Sequence, residues 1–298
     1  MILHHRRREA LNAYLMIAPW LFGFVVWTLG PMIASLLLSF MDWPLLMGPE
    51  WIGLDNIREM LSDDLFYIAL ANTAYYTLLG VPLRVVAALG VALGMNLKLR
   101  GITIWRTVYY LPSITPAVAS SIIWLWMFNP EFGLFNTLLG YVGITQRIRW
   151  IFDPALSKPS LILMSLWGVG GQMIILLAGL QGIPETFYEA ARIDGSNWWS
   201  EFTRITLPML TPSIFFVTIM QIISSFQVFT SAYIMTNGGP ANSTLFYVLY
   251  LYRNGFQFFK MGYAAALAWV LFIIILLFTL FQFGISGRWV FYEAELKR

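Results

Sequence analysis

The chain has 298 residues, 59% hydrophobic, 17% aromatic and only 11% charged, with a mean hydropathy of +0.70; soluble domains carry about 25% charged residues, so a soluble globule of this length has no way to hide so much apolar surface. The net charge of +3 is spread thinly and leaves no basic face for nucleic acid, and the lack of cysteine removes disulfides, cysteine-ligated zinc and thiol catalysis. What remains is a membrane protein.

In chain order, charge-free runs cover 10–41, 65–83, 107–130, 159–184, 205–252 and 261–287. Each is long enough to cross about 30 Å of hydrocarbon at roughly 1.5 Å per residue. The long run 205–252 contains Asn237-Gly238-Gly239-Pro240-Ala241-Asn242-Ser243, a strong turn signal. It therefore predicts one helix near 209–235, then a polar-edged loop with a short amphipathic segment. The expectation is an all-α polytopic membrane protein with six transmembrane helices near 12–38, 70–97, 107–128, 160–182, 209–235 and 262–286. Residues 1–298 form a single transmembrane domain, with a cytoplasmic loop at 185–206.

Orientation follows from Lys and Arg in the short loops. With both termini cytoplasmic, the inner side holds Arg6, Arg7, Arg8, Lys98, Arg100, Arg106, Arg192, Arg204, Arg288, Lys297 and Arg298, against Arg58, Arg147, Arg149, Lys158, Arg253 and Lys260 outside. The first outer loop also carries Asp42, Glu50, Asp55, Glu59, Asp63 and Asp64. The first span is too long for a signal peptide, and no A-x-A cleavage site follows it.

Arg84 has two readings. If the second helix ends at residue 83, Arg84 snorkels at its inner end. If the helix runs near 70–97, as Asn72 and the acids before it favour, Arg84 lies near mid-membrane and faces protein, a partner subunit or the pathway. Gly90 and Gly94 would then form a small-residue face for helix packing.

No Asp or Glu falls inside the six runs, whereas ion-coupled carriers usually keep intramembrane carboxylates. There is no phosphate-binding G-x-x-x-x-G-K-[ST] loop, no metal-ligating cluster, and no catalytic constellation. His4 and His5 belong to a solvated tail.

The loop at 183–208 breaks the apolar pattern. Pro184 suits a first helical turn, with Glu185 and Glu189 near the positive end. Gly195 suits a left-handed stop, and Ser196 can cap a second short helix before Leu207-Pro208. Phe187, Ala190, Ala191 and Ile193 are available for a partner's groove. The bland alternative is a passive interfacial helix.

Within that loop, Glu189-Ala190-Ala191, Asp194-Gly195, Phe202, Ile205, Leu207-Pro208 and Pro212 resemble the EAA signature of permease subunits in bacterial ABC importers. Arg106 through Pro112, Trp124, Asn129 through Asn136, Leu177 through Pro184, Thr236 through Pro240 and Gly262-Tyr263-Ala264-Ala265-Ala266 agree. Together they resemble the carbohydrate-uptake branch. Gly238-Gly239-Pro240 and the Trp289…Tyr292-Glu293 tail resemble its maltose-F or glycerol-phosphate-A type, without the extra N-terminal spans and large periplasmic insertion of the maltose member. The resemblance runs over about 10–293. It implies a non-enzymatic subunit in the bacterial inner membrane that binds no cofactor, paired with a second homologous permease. Two cytoplasmic ATPases would carry ATP and Mg, and an extracytoplasmic solute-binding protein would deliver a sugar. It assigns ATPase coupling to Glu189, Ala190, Ala191, Asp194, Gly195, Leu207 and Pro208. The rival is an ion-coupled carrier or channel working without ATPases.

Sugar sites pair aromatic faces with amides and hydroxyls. Gln221, Ser224 and Ser225 fall at i, i+3 and i+4, with Tyr233 further along the same predicted helix. Gln172, Tyr263 and Arg84 complete the pathway candidates. Hydrogen bonding between helices is the alternative for each. Trp150, Trp198 and Trp199 fit interface anchors.

Overall fold

A computed structural model describes residues 2–45 and 47–291, with side chains from Asn12 onward. The side chains of His4, His5, Arg6, Arg7 and Arg8, and the tail residues Tyr292, Glu293, Lys297 and Arg298, lie outside the described residues. Among the described residues everything regular is helical except a two-residue hairpin, in which Met41–Asp42 pairs antiparallel with Glu50–Trp51.

Four helices are long and apolar enough to cross a membrane: Asn12–Leu38, Asp64–Met95, Trp198–Phe226 and Met261–Ser286. Two further pairs meet the requirement only together, Ile102–Ile114 with Ala117–Met127 at 98° and Pro154–Trp167 with Gly170–Gln181 at 50°. Among the described residues there are thus four helices of spanning length and composition, or up to six spans if each bent pair is one.

The bends fall within the helices expected near 107–128 and 160–182. Thr115 is extended, at φ −70° and ψ 132°, because Pro116 crowds the backbone before it. The second break falls at Gly168 and Val169, in a glycine-rich stretch with little helix preference. The helix expected near 209–235 ends at Phe226. Gln227 to Phe229 leave the helical path, and Thr230–Met235 is a separate short helix.

The chain divides into two compact units, one of residues up to Asp63 with Leu251–Val270, the other of Asp64–Tyr250 with Leu271 onward. In the first, the Asn56 amide donates to the carbonyls of Ser39 at 3.0 Å and Met41 at 2.9 Å. This anchors the short helix Asp55–Leu61 to the end of the first span. The Met261 N–H donates to the Trp43 carbonyl at 3.1 Å, and the Trp269 indole to Ser35 Oγ at 3.1 Å.

In the second unit, Asp64–Met95 packs against Pro154–Trp167, Gly170–Gln181 and Leu207–Phe226. Its close-packed face is made by Ala88 and Ala92, buried with Met173, Leu176, Leu210 and Val217. Gly90 and Gly94, expected there, have open space where a Cβ would stand. Arg106 Nε and Nη2 donate to the Met95 carbonyl at 3.2 and 2.8 Å, satisfying one of the free carbonyls at the end of that helix. Trp150 is half-buried and sits in a ring cluster with Phe128 and Phe135, and its indole donates to Asn136 Oδ1 at 3.1 Å.

The glycine-proline loop after residue 235 exposes Asn237 and Ala241, but Ser243, Thr244, Leu245, Phe246 and Tyr247 are all buried. The loop is stitched internally by Thr236 to Thr244 at 2.6 Å and by Thr244 Oγ1 to the Gly239 carbonyl at 2.7 Å. Asn72 clamps it to Asp64–Met95, donating to the carbonyls of Asn242 at 2.8 Å and Leu245 at 3.1 Å. Thr73 Oγ1 accepts from the Tyr247 N–H at 2.9 Å.

Candidate functional site

The loop between the fourth and fifth predicted spans forms a stapled helical turn. Its first helix is Glu185–Ile193, and Pro184 caps it from outside at ψ 132° rather than occupying the first turn. Gly195 takes φ +78°. The Gly195 N–H donates to the Arg192 carbonyl and the Ser196 N–H to the Ala191 carbonyl, both at 3.0 Å, the paired bonds of a glycine-terminated helix. The Ser196 hydroxyl instead donates to Glu201 Oε1 at 3.4 Å, and Asn197 caps the next helix. Its Oδ1 accepts from the Ser200 N–H at 2.8 Å.

From Trp198 the chain runs as one continuous helix to Phe226. It widens by one residue at Phe202–Thr206, where the Leu207 N–H reaches back to the Phe202 carbonyl. Pro208 follows immediately, and its missing N–H and bulky ring account for the local widening.

Three side-chain links hold the turn. Arg192 Nε and Nη2 donate to Glu201 Oε1 at 3.0 Å and Oε2 at 3.4 Å. The hydrogen bond and charge of Glu201 raise the Arg192 guanidinium above its ordinary value. Tyr188 and Thr206 hydroxyls meet at 3.0 Å. Lys98 Nζ meets Glu185 Oε1 at 3.2 Å, linking the loop to the segment after Met95.

Glu189, Ala190, Asp194 and Gly195 are exposed and Ala191 half-buried, while Leu207 and Pro208 are half-buried at the entry to the long helix. Ile193 is 86% exposed. Ala191, Asp194, Gly195, Asn197 and Arg204 border a cavity of about 510 Å³. The turn thus offers small residues, a carboxylate and an apolar side chain for close approach by another surface.

A second constellation lies between the long helices of the same unit. Arg84, 20 residues into Asp64–Met95, is buried, so the longer of its two frames holds. Its Nη2 donates to Ser225 Oγ, its Nη1 to Tyr76 Oη at 3.5 Å, and its Cζ lies 5.3 Å from the Tyr76 ring centre. Gln221 is buried on the same helix as Ser225, but Ser224 is exposed, so the predicted stripe is split between two environments. Gln172 Oε1 and Thr77 Oγ1 are buried without a hydrogen-bond partner. Tyr233 lies on the separate helix Thr230–Met235, where it stacks on Phe229 with ring centres 5.3 Å apart. Tyr263 belongs to the other unit, where its hydroxyl donates to Asp63 Oδ2 at 2.7 Å. Sequence reasoning missed Tyr76, although its i, i+8 spacing to Arg84 places both on one helix face.

A family model described as "Binding-protein-dependent transport system inner membrane component" matches residues 85–290. The chain belongs to that family. The chain is 46% identical over 293 residues to the probable ABC transporter permease protein YesP of Bacillus subtilis (strain 168), covering 97% of this chain and 94% of the relative. It is 36% identical over 283 residues to the lactose transport system permease protein LacF of Rhizobium radiobacter, covering 93% and 95%. Its fold matches a chain of a bacterial ABC transporter involved in the import of the acidic polysaccharide alginate, with a TM-score of 0.84 and 24% identity over 97% of this chain and 99% of that one. The stapled turn lies wholly inside the matched stretch, and the Arg84 cluster straddles its start, which comes one residue after Arg84.

Proposed function

We propose that this chain is one of two transmembrane subunits of an ATP-driven importer for sugars. It forms half of the pathway, and hydrolysis occurs on partner ATPases bound to the turn at 185–206. The family match, which includes that turn, carries the proposal, and the name of the lactose relative supports a sugar as solute. The family's description supports a solute-binding protein as the partner that delivers it. The Lys and Arg distribution supports cytoplasmic termini in a bacterial inner membrane.

The coupling step would be mechanical. A push on Gly195 and Trp198 acts on the near end of a helix that continues to Phe226. A helix of that length transmits displacement over about 40 Å, at roughly 1.5 Å per residue. Gln221 and Ser225, near its far end, would move with it, rocking the pathway between its two openings. Glu189 and Asp194 would meet ATPase cations, and Ala190 and Ala191 would admit a close-packed surface.

Reconstitution tests this. Uptake should require the partner permease, both ATPases and ATP. Uptake by this chain alone under an ion gradient would overturn the assignment in favour of a self-sufficient carrier.

A further inference from the structure

We propose, on the assignment of this chain as a sugar-importer subunit, that Arg84 makes the pathway selective for acidic sugars by pairing with a carboxylate of the solute. Arg84 is 8% exposed, and an arginine keeps its charge in any protein environment. A charge placed among membrane helices is costly and marks a functional position unless it is paired. The partners of Arg84 are neutral, the hydroxyls of Ser225 and Tyr76 and the Tyr76 ring, and its Nε has no hydrogen-bond partner.

This chain has no carboxylate with which to neutralise it from the surrounding helices. No Asp or Glu occurs in 65–130, 154–184 or 202–292, which include the four helices packed most closely on Asp64–Met95 among the described residues. A partner subunit's carboxylate would have to reach a guanidinium already closed off by this chain's own helices. A solute admitted between Asp64–Met95 and Trp198–Phe226 meets it directly.

Arg84 and Ser225 sit on those two helices, and the second is the one that begins at the stapled turn. The movement that opens a path for solute therefore also separates Ser225 from Arg84 and frees the guanidinium. Its planar fork presents two parallel N–H donors to a carboxylate, whereas a neutral sugar hydroxyl accepts from one. Once parted from Arg84, the Ser225 hydroxyl is free to donate its own hydrogen to the same group. The pair therefore favours an acceptor-rich, negatively charged group.

The test uses the complete transporter in proteoliposomes, with ATP on the ATPase side. The solutes are di- and trisaccharides of galacturonate, mannuronate and guluronate, each beside its methyl ester and its neutral parent sugar. The wild type should carry an acid form about tenfold faster than its ester, the ratio expected for one charge-assisted bond. Arg84→Gln should collapse that ratio, with Arg84→Lys between, because an ammonium keeps the charge without the fork. The binding protein is the same throughout, so a change in ratio belongs to the permease. An unchanged ratio in both variants, an equal fall of acid and ester, or a wild-type preference for neutral sugars overturns the role of Arg84 alone. ATP-dependent uptake of no saccharide at all overturns the sugar assignment as well.

Discussion

Arg192 and Glu201, nine residues apart, close the turn at Gly195 through two hydrogen bonds, Nε to Oε1 at 3.0 Å and Nη2 to Oε2 at 3.4 Å. The two partners differ in exposure, 61% for the arginine side chain and 13% for the glutamate. Glu201 is thus the sheltered half, and it also accepts from Ser196 Oγ at 3.4 Å. Glu201→Gln keeps the shape but removes the charge, and should lower ATP-driven uptake several-fold while leaving the permease inserted. Arg192→Lys should fall between the wild type and Arg192→Ala, since an ammonium cannot span both carboxylate oxygens. Faster hydrogen exchange at the amides of 195–201 should accompany the loss. Unchanged exchange with unchanged uptake would remove the staple from the mechanism.

Gly195 is a separate matter, because its constraint lies in the backbone. It holds φ +78°, and a Cβ there would meet open space. The cost of a side chain is then the left-handed conformation itself, about 1–2 kcal/mol for most residues and less for Asn. ATPase co-purification and uptake should rank Gly195→Asn above Gly195→Ala, and Gly195→Ala above Gly195→Val. An equal loss in all three would mean that the turn's exposed surface, not its path, is what the partner reads.

Asn72 holds the loop at 236–247 through two bonds to the backbone carbonyls of Asn242 and Leu245, while its Oδ1 accepts from Lys158 Nζ at 2.8 Å. Asn72→Ala removes all three and leaves the carbonyls of Asn242 and Leu245 without that donor. At about 0.5–1.5 kcal/mol for each of the two neutral bonds to the loop, its opening should become easier by roughly 1–3 kcal/mol. The check is hydrogen exchange at the amides of 236–247 in the purified protein. Protection equal to the wild type would show that the Thr236–Thr244 and Thr73–Tyr247 bonds hold the loop alone.

Much of this was legible because charge and glycine act locally. The charge-free runs mark the long helices, and Gly195 announces the left-handed stop. The break at Pro116 carried its own signal, since a proline pushes the residue before it out of the helix, yet an unbroken apolar run masked it. Choosing between Ser196 and Asn197 as the cap required knowing that the Ser196 hydroxyl turns to Glu201. The end of the long helix at Phe226 has neither Gly nor Pro to mark it. The split of Gln221 and Ser225 from Ser224 was hidden too, because helical spacing says which residues share a face but not where burial divides that face.

Gly170 and Gly171 are adjacent and should respond oppositely to alanine. A Cβ on Gly170 would collide with the Tyr109 carbonyl and the Tyr110 backbone, whereas one on Gly171 would meet nothing within 4 Å. Both lie in the first turn of the helix Gly170–Gln181, so helix preference favours alanine equally at each, by up to about 1 kcal/mol. At Gly170 that gain is outweighed, because the obstacle is backbone of the helix Ile102–Ile114 and cannot rotate aside as a side chain would. Overpacking of this kind costs about 1–3 kcal/mol or more. Thermal unfolding of the detergent-purified protein should place Gly170→Ala several degrees below the wild type and Gly171→Ala at or above it. Equal midpoints for the two variants would mean that the helices Ile102–Ile114 and Gly170–Gln181 do not approach this closely in the membrane protein.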